Sequence, residues 1–147
     1  MRNIPKHTAK AAAMKLPYSE RGLEEYVGKY LMQFVDRVFI NKNFGKVKLL
    51  KKSIDETAHN VRYHRKSAEL ALYLPYIIRN AKVIEYPLPV ESKTQVNKFG
   101  FKDIAVMLCN VKNVGVAKLT VGFALIDGCV EYSITDFQKT KTSQFID

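Results

Sequence analysis

From Tyr18 onward, apolar residues recur at steps of three and four: Leu23, Tyr26, Val27, Tyr30, Leu31 and Phe34. That spacing collects them on one face of a helix, with the tyrosines reading as core or rim, and Ser19 and Glu20 just ahead supply a cap and a first-turn carboxylate. Before Pro17 no such period is sustained, so the basic stretch 1–17 reads as a flexible arm. After the helix, "RVFINKNFGKVKLLKKS" reads as two short strands around a turn at Asn41 to Gly45.

Ser53 and Glu56 then stand three residues apart, the spacing of a capping box in which each side chain satisfies the other residue's free backbone N–H, and this predicts a helix start at Ser53. At about 100° per residue, Ile54, Ala58, Val61, Ala68 and Leu72 form one apolar stripe, while His59, Arg62 and Lys66 cluster opposite. Arg65 interrupts the stripe. A continuous helix would bury its guanidinium, so the pattern predicts a break between Tyr63 and Ser67, followed by a second helix through "AELALYLPYIIRN" that Pro75 bends. His64 falls at the helix edge, where it either packs at that break or joins His59 as a group able to move protons.

The remainder is strand-like. "KVIEYPLPV" carries two prolines, which suits an edge strand, and "ESKTQVNK" reads as a loop. "FGFKDIAVMLCNV", "AKLTVGFALI" and "CVEYSITDF" follow as β-rich runs, the last two joined by Asp127-Gly128. A two-residue loop there pairs Ile126 with Cys129, Leu125 with Val130, Ala124 with Glu131, Phe123 with Tyr132, Gly122 with Ser133, Val121 with Ile134 and Thr120 with Thr135. One face of this ribbon is large and apolar and should meet the helices. The other, with Thr120, Gly122, Ala124, Glu131, Ser133 and Thr135, has room to seat a ligand, although a merely solvated face has the same composition. The expected fold is α+β: an N-terminal helix, a central helical segment and an antiparallel sheet of about four to five strands with helices on one face. It forms a single domain over 18–137, followed by a polar tail at 138–147.

Composition narrows the chemistry. The chain has 147 residues, enough for one ordinary core, and its 24 Lys and Arg against 14 Asp and Glu give a net charge of +10. Such a field attracts nucleic acid, an anionic surface or an acidic protein. No apolar run approaches the roughly 18 residues of a membrane span, and the basic start lacks the apolar segment of a secretion signal, so the chain reads as soluble, with no membrane partner. Cys109 and Cys129, both in strand-like runs, read as buried thiols.

The glycines fall in no phosphate-loop spacing, and neither a zinc-protease motif nor a carboxylate cluster for magnesium is present, so no metal and no cofactor are expected. What remains suits phosphodiester chemistry on RNA. Histidine can move protons to and from the 2′-OH and the leaving oxygen, and cations can stabilise the phosphorane. His59, Arg62 and Lys66, with Ser133 and Thr135 if the helix overhangs the ribbon, are the candidate catalytic residues. Lys46, Lys48, Lys51, Arg65 and Glu131 are the candidate nucleic-acid contacts. An exposed basic helix face with no activity fits the same residues.

The order of short strands, then "SIDETAHNVRYHRKSAELALYLPYIIRNAKVI", then a sheet ending in "CVEYSITDF", resembles the barnase, EndoU, colicin D and RelE-like nuclease superfamily, nearest to domains of phage polyvalent proteins and bacterial toxin tips. The resemblance implies a metal-independent endoribonuclease acting on tRNA or other structured RNA by 2′-OH attack, leaving a cyclic phosphate. It also implies a cytoplasmic setting, in a bacterial host or phage-infected cell, and an acidic immunity or antitoxin protein as partner. Two other functions fit the same residues: a non-catalytic nucleic-acid-binding or host-interaction module, and a basic accessory protein that binds an acidic partner.

Overall fold

Ser19 starts the first long helix as its position suggests: its Oγ accepts from the Gly22 backbone N–H at 2.9 Å. The computed structural model describes residues 6–43, 45–89, 103–126 and 129–140, with side chains for 8–43, 45–84, 105–122 and 137–140. Its elements run α1 (Lys6–Ala13), α2 (Glu20–Met32), β1 (Val38–Asn41), β2 (Gly45–Lys48), α3 (Lys51–Val61), α4 (Arg65–Ala71), α5 (Leu74–Asn80), β3 (Lys82–Pro89), β4 (Asp103–Val111), β5 (Gly115–Ile126) and β6 (Cys129–Thr140).

The fold is α+β. Strands β3 to β6 form an antiparallel meander, and the β1–β2 hairpin joins it beside β6, so the sheet has six strands in the order β1-β2-β6-β5-β4-β3. The join is parallel, with Lys48 in register with Ser133. β3, with its two prolines, lies at the edge, where missing ladder donors cost least.

The β5–β6 register follows the expected pairing from Ile126–Cys129 to Val121–Ile134 and then departs from it: Thr120 pairs with Asp136, leaving Thr135 as an extra residue in a bulge. The bulge reverses the alternation of β6. Phe137 therefore comes opposite Leu119, and both side chains are buried in the core at 1% exposure. Ala117, Leu119, Val121, Met107, the free thiol of Cys109 and Phe137 pack with Leu23, Val27, Leu31, Ile54 and Val61 of α2 and α3. The helices thus lie on the face of the sheet opposite to the one that carries Thr120 and Gly122.

Residues 6–13, expected within a flexible arm, instead form α1. Eight residues cannot hold a helix alone; here Ala9 is buried, and Tyr26 Oη donates to Ala12 O at 2.6 Å. The helix predicted from Ser53 starts earlier, with Leu50 as N-cap and no side-chain cap bond. Leu49 decides the start. It is fully buried, its N–H donates to Arg37 O and its carbonyl accepts from Asp36 N–H, so the chain leaves β2 already committed to turn. Ser53 is consequently buried inside the helix rather than capping it. The break predicted near Arg65 is present at Arg62–His64. A second break follows at Leu72–Tyr73, and Pro75 sits at the start of α5, where its missing N–H costs nothing, instead of bending a helix.

Tyr30 is the weak point of the helical layer. Its ring meets Phe34 edge-on at 5.7 Å, but among the described residues its buried hydroxyl has no hydrogen-bond partner. Burial first, then Tyr26 and Tyr73, hold its pKa above the ordinary 10.0. A raised folded-state pKa means that the unfolded chain ionises first, so stability is unaffected below pH 10 and falls as pH rises beyond it. Tyr30→Phe should therefore raise the unfolding free energy by about 1 kcal/mol at neutral pH. It should also flatten, though not abolish, the alkaline loss, because Tyr73 is shifted in the same direction. Urea titrations at pH 7 and above pH 10 check both effects.

Candidate nucleic-acid interface

Where α3 ends, the chain turns through Arg62, Tyr63 and His64 and starts α4 beside the last residues of β6. The turn and the strand enclose a groove with two lobes. One, of about 430 Å³, is lined by Asn60, Val61, His64, Ser67, Phe137, Gln138 and Lys139. The other, of about 500 Å³, is lined by Tyr63, Arg65, Lys66 and Thr140. His64, Ser67 and Lys139 border both lobes.

The register explains why these groups meet. The bulge that turns Phe137 inward also brings Lys139, two residues on, to the helix side of β6, while Phe137 and Val61 form the apolar floor. Among the described residues, no side-chain hydrogen bond or ion pair holds His64, Lys66, Ser67 or Lys139. An imidazole, two ammonium groups and a hydroxyl thus face one solvent-filled groove, a donor set suited to phosphate oxygens.

The residues singled out from the sequence are distributed differently. His59 is exposed on the last turn of α3, and its Nδ1 lies 3.3 Å from Glu24 Oε2, so it points to α2 and not to the sheet. Arg62 bonds to His59 O and Tyr63 Oη, with its guanidinium 4.0 Å from the Tyr63 ring centroid. Lys66 lines the second lobe. Arg65 donates to Leu16 O at 2.9 Å and to Pro17 O, and it stacks on Tyr18 at 4.2 Å, which makes it a tie to the N-terminal segment.

Lys46 and Lys48 are on β2, and Lys51, at the far end of α3, pairs with Asp55 at 2.8 Å. The side chains of Ser133, Thr135 and Glu131 lie outside the described residues; by register Ser133 pairs with Gly122 and Glu131 with Ala124. The expected meeting of His59 and Arg62 with the Thr120–Gly122 side of the ribbon does not occur, since the helices cover the reverse face. His64 and Lys66 reach β6 instead, at its other end.

Residues 19–121 match the model of a family described as Large polyvalent protein-associated domain 3. The chain belongs to that family. No curated protein and no solved structure matches it. The relation to polyvalent-protein domains drawn from the sequence therefore holds, and the match does not extend to the nuclease superfamily as such. In this polyvalent protein-associated domain the matched segment carries Asn60, His64 and Ser67, and the strand that brings Lys139 lies beyond it.

Asn60, His64 and Ser67 follow one another at steps of four and three, a spacing legible in the sequence, although the break between α3 and α4 means that they do not share one helix. Lys139 fell in the expected polar tail. Among the described residues no three His, Cys, Asp or Glu side chains gather as a metal would need, and no helix is long and apolar enough to cross a membrane.

Proposed function

We propose that this polyvalent protein-associated domain binds RNA through its phosphates, in the groove at His64, Ser67 and Lys139. The observation that carries the reading is the meeting of those three residues, from the α3–α4 turn and from β6, on both lobes of one open groove. The net charge of +10 supplies the long-range attraction, and Lys66 and Lys139 supply the contacts.

His64 favours a second and stronger reading, metal-independent cleavage. Neutral imidazole would take the proton of a 2′-OH, the 2′-oxygen would attack phosphorus, and the 5′-oxygen would leave with a proton from water. Lys139 and Lys66 would stabilise the phosphorane, and a cyclic phosphate would remain. In a phage setting such a domain would act on host RNA.

The test is tRNA binding and cleavage in EDTA. Lys139→Glu should weaken binding by about tenfold or more and reduce the dependence of affinity on salt, whereas His59→Ala should leave both unchanged. If the wild type cleaves, His64→Ala should abolish the product and His59→Ala should not. Binding without cleavage rejects the second reading. Salt-insensitive or absent RNA binding rejects the first, and capture of an acidic protein in its place would point to the accessory role.

A further inference from the structure

Tyr63 stands in the turn between α3 and α4 with 56% of its surface exposed. A ring in a turn would ordinarily swing, but this one is clamped. The Arg62 guanidinium lies over it at 4.0 Å, donates to Tyr63 Oη, and is itself anchored to the end of α3 through His59 O. The ring borders the same lobe as His64, Lys66 and Lys139. Cations for a phosphate and a fixed aromatic surface therefore share one recess. That pairing of groups distinguishes a nucleotide site from a simple anion site, because every base offers a π-face to an aromatic ring whatever its sequence.

We propose that this lobe is a single-strand nucleotide subsite: the base of one unpaired nucleotide stacks on Tyr63 while its phosphate lies between Lys66 and Lys139. The proposal rests on the reading of the groove as an RNA-phosphate site and adds the substrate class. In an A-form duplex the bases are stacked on one another and only their edges reach the grooves, so a platform of this kind gains nothing from paired RNA. Loops, bulges and unpaired ends are its ligands. The Arg62–Tyr63 pair reads no base edge, so sequence preference should be shallow, with purines ahead of pyrimidines through their larger rings.

The experiment uses the full chain and a short RNA with 2-aminopurine at successive positions, whose fluorescence falls when the base stacks, alongside the same sequence annealed to its complement. The wild type should bind the single strand more tightly than the duplex and quench the probe. Tyr63→Ala should lower single-strand affinity about tenfold and abolish the quench, and Tyr63→Phe should retain both. Circular dichroism of each variant separates these effects from misfolding.

Equal affinity for duplex and single strand, with Tyr63→Ala silent while Lys139→Glu still weakens binding, overturns the subsite and leaves the groove reading standing. Absence of salt-dependent RNA binding by the wild type overturns both.

Discussion

Phe137→Ala should lower the unfolding free energy by roughly 3–5 kcal/mol, the usual range for deleting a buried aromatic ring from a core that cannot collapse around the gap. Phe137 is 1% exposed and faces Leu119, also 1% exposed, across the β5–β6 ladder. α3 packs over this strand, and Val61 shares the groove floor with Phe137. Leu119 is pinned on both sides in turn, by Phe137 and by Met107. The ring thus joins the sheet to the helical layer at the point where the groove forms, and the sheet cannot shift to fill its volume without breaking its own register. A urea titration should show the midpoint falling with the slope unchanged, as expected when native packing and not the denatured state has altered. Phe137→Leu, which restores most of the apolar volume, should recover most of the loss. Because Phe137 fixes the strand two residues before Lys139, the alanine variant should also bind RNA more weakly under conditions where it remains folded. A loss below about 1 kcal/mol would mean that the bulge does not lock Phe137 into the core.

That bulge marks the limit of what the sequence discloses. The alternation Val130, Tyr132, Ile134 predicts the β5–β6 pairing because side chains change face at every residue, and Asp127-Gly128 sets its origin. Nothing local marks Thr135 as the residue to be passed over. The cost of the irregularity is offset only by burying Phe137 against helices distant in sequence. The same holds for α1, whose residues show no sustained period and which is held by Tyr26, while Arg65 ties down the Leu16–Pro17 segment that follows it. The break near Arg65 was legible, since a guanidinium in an apolar stripe is a local contradiction. Its effect on the candidate site was not. A helical wheel drawn through residues 53–72 as one rod groups His59 with Lys66, but the chain turns at Arg62–His64, so His59 faces Glu24 on α2 while His64 and Lys66 face β6. The expected overhang of His59 and Arg62 on the uncrowded side of the closing ribbon does not occur; His64 and Lys66 stand beside β6 instead, on its helix side. The side of the strand, and the histidine, were decided by tertiary packing.

Arg65, a candidate nucleic-acid contact, and Lys66, a candidate catalytic residue, are adjacent in sequence, and they should separate cleanly on mutation. Arg65→Ala removes two charge-assisted hydrogen bonds to the carbonyls of Leu16 and Pro17 and the stack on Tyr18, and it leaves half-buried backbone acceptors without their donor. A loss of about 2–3 kcal/mol of stability is expected, with the Leu16–Tyr18 segment exchanging its amide hydrogens faster. Affinity of the folded fraction for RNA should hardly change, since that guanidinium, although Arg65 borders the lobe, is already engaged by the N-terminal segment. Lys66→Ala should do the reverse: an exposed side chain without a described partner contributes within about 0.5 kcal/mol to stability, yet its loss should weaken RNA binding severalfold and lower the salt dependence. Paired urea and anisotropy titrations on the two variants make the comparison. If Arg65→Ala instead weakens RNA binding at unchanged stability, the tie to the N-terminal segment is not what holds Arg65, and the phosphate surface extends across the turn. If both variants bind RNA as the wild type does, the second lobe is not where the strand lies, and Lys139 must act from the first.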